Sequence, residues 1–298
     1  MVKFDIVSGF LGAGKTTFIK KVLESLDNQE EKLVLIENEF GDVNVDREFL
    51  KVSGFEVYEL SNGCVCCKLK GDFLLTLKHI LSQKVDRIIF EPSGIFILSE
   101  IVDLFKDFEI SSKCYINTVT TIVDAENFSK HIQSYSYFFR NQISNASTLI
   151  LSKTQFLQTE DIDVIKETLH GLNEKAVILT KNWTDLSPQE ILDIIEKEPA
   201  GTINGDSTTL GHDFETLGIR TSIILEVNQL KSILEKCKAG RYGTILRGKG
   251  IINSGNKFLE FQYVDGHYTI SESNDHLVGI VSFIGKNLEK QTLKEAFQ

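Results

Sequence analysis

A glycine-rich segment close to the amino terminus carries the clearest chemistry in the sequence. Residues 9–16 read GFLGAGKT and fit the pattern G-x-x-x-x-G-K-[ST]. Glycines let successive backbone N–H groups turn inward onto phosphates, Lys15 places a positive charge near the β- and γ-phosphates, and the Thr16 hydroxyl can bind Mg²⁺. An apolar run at residues 4–7 precedes the segment and a helical pattern at 16–26 follows it, so a helix dipole points its positive end at the anion. The segment predicts a nucleotide-phosphate site.

A second candidate element is an acidic residue at the end of a hydrophobic run. Residues 86–94 read DRIIFEPSG, in which Glu91 ends the run and Gly94 follows three residues later. Behind a phosphate loop, Glu91 can hold Mg²⁺ directly or through a water, and Gly94 occupies the place of a γ-phosphate sensor. Taken alone, the same residues would better fit a strand that ends in a solvated glutamate before a proline-containing turn.

Three cysteines lie within four residues of one another. Residues 61–67 read SNGCVCC, and the three thiols belong to Cys64, Cys66 and Cys67. C-x-C spacing puts two sulfurs on one side of an extended segment, and Gly63 lets the chain turn so that the third can join them. Three thiolates select soft or borderline cations such as Zn²⁺ or Cu(I) and leave a fourth position open, which suits a metal that is carried and released. The alternatives are buried small hydrophobic residues, an oxidation-sensitive group of thiols, and a cluster that arises by chance from the composition.

Hydrophobic periodicity predicts the elements that position these motifs. Short apolar runs alternate with amphipathic helical patterns over the first 200 residues, which is typical of a parallel sheet covered on both faces. We therefore predict an α/β fold over residues 1–200, a P-loop NTPase parallel sheet with helices on both faces. In segment 128–139, four aromatic or aliphatic residues share the spacing of one helix face and are predicted to be core: Phe128, Ile132, Tyr135 and Phe139.

The sequence pattern changes near residue 200. Residues 198–218 are rich in Gly, Ser, Thr and Asp, which predicts a linker at residues 201–218. Beyond it, short apolar runs separated by hairpin-like gaps predict a smaller C-terminal α+β domain at residues 219–298. Its first strand is expected at residues 221–227, and a tight hairpin turn is expected at Asp265 and Gly266.

Composition limits the class of protein. The chain has 298 residues, of which 42% are hydrophobic and 25% charged, and a formal net charge of −10. Because this charge repels phosphate backbones and anionic membranes, we expect neither nucleic acid nor a membrane as partner. No apolar run approaches the roughly 18 residues of a spanning helix, and the amino terminus has no signal-peptide anatomy. Clustered cysteines fit a reducing, cytoplasmic compartment, and the isolated Cys114 and Cys237 are expected in the core.

Together these motifs resemble the CobW-type family of P-loop GTPases, which are regarded as metallochaperones. The resemblance covers nearly the whole chain, and the CxCC segment between two nucleotide motifs is its most specific part. It rests on residues 9–17 (GFLGAGKTT), 37–41 (ENEFG) with Asp46, 62–67 (NGCVCC), 91–94 (EPSG), 123–125 (VDA) and 243–250 (GTILRGKG).

The resemblance assigns roles to individual residues. The phosphates would be bound by residues of the glycine-rich segment, namely Gly9, Gly12, Ala13, Gly14, Lys15, Thr16 and Thr17. Thr16 and Glu91 would serve Mg²⁺, and with Lys15 they form the candidate catalytic set. The transferred metal would be bound by Cys64, Cys66 and Cys67. The switch residues would be Glu37, Glu39 and Gly94, where Glu39 is a candidate for sensing Mg²⁺ or the cargo metal and a solvated loop carboxylate is as good an interpretation.

The base-reading motif of the family is altered in this chain. Residues 152–155 read SKTQ, where the family has an aspartate in the last position. A carboxylate accepts two hydrogen bonds from guanine with a full charge, whereas Gln155 offers one neutral carbonyl and an NH₂ donor that faces a donor. Guanine discrimination is therefore expected to fall by about 1–3 kcal/mol, although the stem of Lys153 can still pack over the base.

The resemblance implies a GTP-dependent metallochaperone. GTP and Mg²⁺ would order the switch segments and gather the thiolates around the cargo, Zn²⁺ or Co²⁺, and hydrolysis would release the metal to an acceptor protein. Intrinsic turnover is expected to be slow because no water-orienting residue or arginine finger stands out. Two hypotheses remain beside it: a nucleotide- and metal-binding sensor or buffer with little hydrolysis, and an NTPase with relaxed base specificity. A small-molecule kinase is disfavoured because no Arg-rich lid segment occurs before residue 200.

Overall fold

The computed structural model describes seven stretches of the chain, residues 1–27, 31–37, 56–59, 68–196, 215–255, 257–273 and 279–298. They belong to two compact units, the first ending within the described residues at 196 and the second beginning at 215. The predicted cysteine cluster, Glu39 and residues 201–214 of the predicted linker lie outside the described residues.

The first unit is built on a seven-stranded sheet. Its strands are β1 (Val2–Gly9), β2 (Leu33–Glu37), β3 (Glu56–Glu59), β4 (Arg87–Glu91), β5 (Cys114–Asp124), β6 (Thr148–Ser152) and β7 (Val177–Leu179). They lie in the order β3-β2-β4-β1-β5-β6-β7, and every neighbouring pair is parallel. Because both faces of the central strands are covered, β2, β4 and β6 are buried along their whole length, which explains their unbroken apolar runs.

Helices cover both faces of this sheet, as predicted. They are α1 (Lys15–Leu26), α2 (Lys68–Leu81), α3 (Ser99–Leu104), α4 (Phe108–Ser111), α5 (Phe128–Ser134), α6 (Ser136–Ser144), α7 (Thr159–Leu172) and α8 (Pro188–Ile195). One face packs Phe4 and Ile6 of β1 against apolar residues of α2, α3 and α4. On the opposite face, Asp5 of the same strand accepts a hydrogen bond from Asn117, which also donates to the carbonyl of Ile195 in α8.

The aromatic segment after β5 is core, but it does not form one helix. Helices α5 and α6 are separated at Tyr135, whose backbone (φ −127°, ψ 30°) is not helical. Phe128, Tyr135 and Phe139 are nonetheless buried, and the Tyr135 ring stacks on Phe10 with centroids 4.9 Å apart. The prediction of core packing is confirmed for these three aromatic residues, whereas Ile132 is only partly buried. The prediction of a single helix face is wrong, because the helix is interrupted at Tyr135.

In its described residues, the second unit is a five-stranded antiparallel sheet with two helices. Its elements are β8 (Glu215–Thr221), α9 (Val227–Lys238), β9 (Thr244–Asn253), β10 (Phe258–Val264), β11 (His267–Ser273), β12 (Gly279–Lys286) and α10 (Lys290–Glu295). The strand order is β11-β10-β9-β12-β8. Residues of α9 and α10 pack with the inward-facing strand residues Phe261 and Phe283 into one core.

Two boundaries in this unit differ from the sequence prediction. The strand expected at residues 221–227 ends at Thr221, and the last four residues of the predicted linker, 215–218, already belong to β8. Only alternate residues of β8 are buried, namely Leu217, Ile219 and Thr221. The residues between them are polar or glycine, which is why the sequence pattern predicted a loop here. The predicted hairpin turn is confirmed, because Asp265 and Gly266 join β10 to β11 with φ of 49° and 93°.

The helices of the described residues are too short or too polar to cross a membrane.

Candidate nucleotide site

The glycine-rich segment forms the connection between β1 and α1. Three of its glycines have positive φ, 144° at Gly9, 71° at Gly12 and 102° at Gly14. A Cβ atom at Gly9 would lie 2.4 Å from the carbonyl oxygen of Ile122 in the neighbouring strand. Both backbone angle and space therefore require glycine, and the resulting turn delivers the chain into the amino terminus of a twelve-residue helix, where anions bind.

Lys15 is buried within this loop. It is the first residue of α1, and its Nζ donates to the carbonyl oxygens of Gly9 at 3.0 Å and Phe10 at 3.4 Å. The ammonium is thus held against the loop backbone, where a bound phosphate would meet it. Ala13 is buried in the same loop, whereas Thr17 in the first turn of α1 is exposed.

The structure brings Thr16 and Glu91 together, although they are 75 residues apart in sequence. The Thr16 hydroxyl donates to the two carboxylate oxygens of Glu91 at 3.1 and 3.3 Å. Glu91 is the last residue of β4, which lies directly beside β1 in the sheet. Because carboxyl ends of parallel strands meet at one edge, the phosphate loop after β1 and the acidic strand end necessarily face the same space.

Glu37 extends this acidic group by one strand. It ends β2, and the parallel register pairs it directly with Glu91 of β4. Paired residues of neighbouring strands point to the same face about 4.8 Å apart, and Glu37 is only 4% exposed. Glu37 thus places a second buried acidic residue beside Glu91 at the edge that bears the phosphate loop.

Gly94 lies against the phosphate loop. A Cβ atom at this position would come within 2.6 Å of the backbone nitrogen and 2.7 Å of Cδ2 of Leu11. The segment after β4 is therefore as close to the phosphate loop as a residue without a side chain permits.

The segment predicted to read the base follows β6 at the same edge of the sheet. Lys153 has a left-handed backbone (φ 60°), and its Nζ donates to Oδ2 of Asp124 at 2.6 Å. Asp124 also accepts hydrogen bonds from the backbone nitrogen and the side chain of Asn127, at 3.2 and 3.0 Å. Gln155 is exposed.

Two residues of this site were given no role from the sequence. Asp124 ends a buried strand, which is the signal that singled out Glu91. Trp183, the one tryptophan of the chain, packs on the phosphate loop, since a Cβ atom at Gly14 would lie 3.1 Å from two of its ring carbons. The carbonyl of Trp183 accepts a 2.7 Å hydrogen bond from Nζ of Lys21 in α1.

In the sequence, the cysteine cluster follows shortly after a strand that ends at this edge. β3 ends at Glu59, which pairs with Glu37, and α2 begins at Lys68, so Cys64, Cys66 and Cys67 fall between two described elements. No group of three metal-binding side chains occurs among the residues that the structure describes, which exclude these cysteines. Cys114 and Cys237 are buried free thiols, as predicted.

Comparison with known protein families agrees with the observed fold and with a nucleotide site at the phosphate loop. Residues 3–180 match the model of the CobW/HypB/UreG nucleotide-binding domain. Residues 214–298 match the C-terminal domain of the cobalamin synthesis protein CobW, and this match begins one residue before β8. The chain belongs to the CobW/HypB/UreG family.

Three curated CobW-family proteins illustrate the range of relatives. "Zinc-regulated GTPase metalloprotein activator 1" of Schizosaccharomyces pombe is 32% identical over 203 residues, which cover 65% of this chain and 49% of that protein. "Zinc chaperone CobW" of Pseudomonas aeruginosa is 27% identical over 70% of this chain and 64% of its own length. "Zinc chaperone YjiA" of Escherichia coli is 24% identical over 99% of this chain and 98% of its own length. The chain thus spans about half to two thirds of the first two relatives and nearly all of the third.

Proposed function

We propose that this protein is a GTP-dependent metallochaperone that binds zinc at its CxCC segment and releases it to an acceptor protein when GTP is hydrolysed. The observation that carries the proposal is the meeting of Thr16, Glu91 and Glu37 at one edge of the sheet, next to the phosphate loop. The phosphate loop and the two buried acidic residues share that edge, so the nucleotide bound at the loop can influence a cation bound near the carboxylates.

The residues present fit Mg²⁺, the cation that a phosphate loop of this kind uses. A hydroxyl and a carboxylate are hard oxygen donors, and Thr16 and Glu91 already lie within hydrogen-bonding distance. We propose that these two residues hold the ion, which when bound would neutralise charge on the phosphates. The backbone N–H groups of the loop bind the phosphate oxygens, and the Lys15 ammonium adds a positive charge beside the terminal phosphates.

Zinc is the proposed cargo, bound by Cys64, Cys66 and Cys67. Cys64 is five positions beyond Glu59, the end of β3, and a chain of that length spans at most about 18 Å, while Cys67 directly precedes α2. The relatives named as zinc chaperones support zinc, although three thiolates also accept Co²⁺. The acceptor is proposed to be a protein, since the net charge of −10 disfavours nucleic acid and anionic membranes.

The coupling between nucleotide and metal is proposed to run through the segments after β2 and β4. Glu37 and Gly94 border these segments, and Glu39 and the cysteines follow in the chain. Ordering them around a triphosphate would gather the thiolates, and hydrolysis would loosen them. Turnover is proposed to be slow, because neither a water-orienting residue nor an arginine finger was found in the sequence.

The residues expected to contact the base support a second candidate function, an NTPase with relaxed base specificity. Lys153 is engaged by Asp124, and Gln155 is an exposed neutral side chain where the family carries a carboxylate. We propose GTP as the preferred nucleotide with a reduced preference over ATP.

The test is Zn²⁺ affinity by chelator competition, measured without nucleotide, with GDP, and with a non-hydrolysable GTP or ATP analogue plus Mg²⁺. We expect zinc to bind about tenfold more tightly with the GTP analogue than with GDP, a typical coupling between two sites. Cys66→Ser should abolish the tight binding. Equal affinity in every nucleotide state would contradict gating and favour the sensor or buffer.

Cys114→Ala supplies the matched control for the cysteine variant. Cys114 is buried in the core of the first unit, where a metal ion does not reach it, and burial also raises the pKa of its thiol to about 12, which disfavours the thiolate. Its removal should leave the nucleotide-dependent zinc affinity unchanged. Lys15→Ala separates the two functions further, because a chaperone should lose nucleotide-dependent delivery whereas a buffer should keep its metal binding.

A further inference from the structure

A glutamine of α6 holds the segment that follows β4. Gln142 is fully buried, and its Nε2 donates to the carbonyl oxygen of Gly94 at 3.0 Å and to that of Phe96 at 3.3 Å. Both hydrogen atoms of one side-chain amide are thus used on the same short stretch of backbone, 48 residues away in sequence. The neighbouring Asn141 adds a second connection, since its Nδ2 donates to Oγ of Ser99 at 3.1 Å.

The opposite side of the same segment rests on the phosphate loop. Gly94 touches Leu11 so closely that a Cβ atom would lie 2.6 Å from its backbone nitrogen. Within the segment, the backbone nitrogen of Phe96 donates to the carbonyl of Ser93 at 3.0 Å, which closes a turn. Gly94 is therefore fixed between the loop that receives the phosphates and the helix that carries Gln142.

Helix α6 is itself tied to the sheet and to the phosphate loop. The Thr121 hydroxyl of β5 donates to the backbone carbonyl of Gln142 at 3.0 Å. The Phe139 ring, one turn earlier on α6, meets Phe10 of the phosphate loop edge to face with centroids 6.2 Å apart. The position of the Gln142 amide is thus set by the same elements that shape the nucleotide site.

We propose that Gln142 is a positioning residue that holds Gly94 beside the place of the terminal phosphate before nucleotide binds. This inference rests on the proposed function and on the role of γ-phosphate sensor that the sequence predicts for Gly94. A segment that is already ordered loses little conformational entropy when a triphosphate binds, whereas a loosened one loses more. Because a diphosphate lacks the terminal phosphate, Gln142 should affect triphosphate affinity and leave diphosphate affinity unchanged.

The test is Gln142→Met, which keeps the length and shape of the side chain but removes both donors. Binding of fluorescent GDP and of a fluorescent non-hydrolysable GTP analogue is measured with Mg²⁺, together with kcat and KM. We expect the triphosphate analogue to bind about tenfold more weakly, as the loss of two neutral hydrogen bonds implies, and GDP to change less than about twofold. A parallel loss for both nucleotides, or no loss for either, would overturn the proposal.

Asn173→Leu is a control at the carboxyl end of α6, although Asn173 itself directly follows α7. Asn173 Nδ2 donates to the carbonyls of Ile143 and Ala146 at 2.8 and 2.9 Å, so its replacement also removes two amide bonds to the end of α6. It also removes two bonds that Oδ1 accepts from the backbone nitrogens of Lys175 and Ala176, and none of these four partners belongs to the segment after β4. It should lower the melting temperature without changing the ratio of the two affinities, and the same ratio change in this variant would contradict a specific role for Gln142.

A second variant keeps the inference testable if Gln142→Met does not fold. Gln142→Asn retains a polar amide and withdraws it by one methylene, and it should produce the same selective loss. Failure of the wild-type protein to bind the GTP analogue would overturn the proposed function as well, whereas normal wild-type binding with an unselective variant would overturn the role of Gln142 alone.

Discussion

Single residues at the nucleotide site are constrained by contacts that a sequence motif does not state. Gly94 was singled out as a phosphate sensor, yet its more immediate constraint is its contact with Leu11. Asp124 shows the converse. The sequence predicted no role for it, and in the structure its carboxylate accepts a 2.6 Å hydrogen bond from the Lys153 ammonium. Both cases depend on residues that meet only after the sheet has formed.

Gly94→Ala provides a prediction at this scale. The added methyl group would overlap the backbone of Leu11, so the segment must move away from the phosphate loop. We expect the free energy of unfolding to fall by about 1–3 kcal/mol, as overpacking usually costs, and binding of the GTP analogue to weaken. Urea denaturation and nucleotide titration measure the two effects.

Gly171→Ala is the corresponding control at a glycine without neighbours. Gly171 lies near the carboxyl end of α7, and a Cβ atom there meets nothing within 4 Å. Since alanine is the better helix former, this change should raise stability by up to about 1 kcal/mol and leave nucleotide affinity unaltered. Equal behaviour of the two variants would show that the close contact at Gly94 has no energetic consequence.

At the scale of elements, a buried cation joins helix α8 to the edge of the first sheet that lies opposite the phosphate loop. The guanidinium of Arg87 in β4 is fully buried and pairs with three carboxylates, those of Asp5 at 2.6 Å, Glu31 at 2.8 Å and Glu196. Lys3 bonds both Glu31 and Glu196. Glu196 directly follows α8, so this group fixes the end of that helix to the amino ends of β1 and β4.

Replacing the buried cation should be costly. Arg87→Met leaves the buried Asp5 carboxylate without its ion pair, so we expect a loss of about 3–5 kcal/mol in the free energy of unfolding, measured by urea denaturation. Adding Asp5→Leu to that variant should recover part of the loss, because the uncompensated charge is then gone. A loss below about 1 kcal/mol in Arg87→Met would contradict a role in fixing α8.

Lys257→Met tests the same chemistry at the surface. Lys257 and Glu272 form an ion pair in which both side chains are largely exposed to solvent. Because water screens such pairs, this variant should change stability by no more than about 0.5 kcal/mol. The contrast with Arg87 isolates the contribution of burial.

For the whole molecule, the important feature is that each unit has its own hydrophobic core. The core of the second unit contains Phe261, Phe283 and Phe297, whose rings lie 5.6–6.4 Å apart. Its closing residues come from both ends of the unit, since the Thr221 hydroxyl at the end of β8 bonds the carbonyl of Phe297 after α10. Such a unit satisfies the usual requirement for independent folding.

A fragment of residues 215–298 should therefore fold without the first unit. We expect a β-rich circular dichroism spectrum and a cooperative thermal transition that neither GDP nor a GTP analogue shifts. In the full chain, the same nucleotides should raise the melting temperature of the first unit by mass action. A fragment that shows no cooperative transition would mean that the second core depends on the rest of the chain.

Much of this protein was determined by local sequence alone. The phosphate loop, the buried strands and the turn at Asp265 and Gly266 follow from backbone requirements and hydrophobic periods within a few residues, and the structure has them where they were predicted. Boundaries were less predictable at the edge strand β8, where half-buried alternation resembles a loop. The break at Tyr135 was missed because the same spacing fits one helix or two.

Only the tertiary structure decided which distant residues share the site. Strand order places β2 beside β4, which pairs Glu37 with Glu91, and β4 beside β1, which brings Glu91 to Thr16. The contacts of Gln142 with Gly94 and of Asp124 with Lys153 likewise join residues 48 and 29 positions apart. A single sequence contains no local signal for such pairs, since they depend on which strands become neighbours and on the register in which they align.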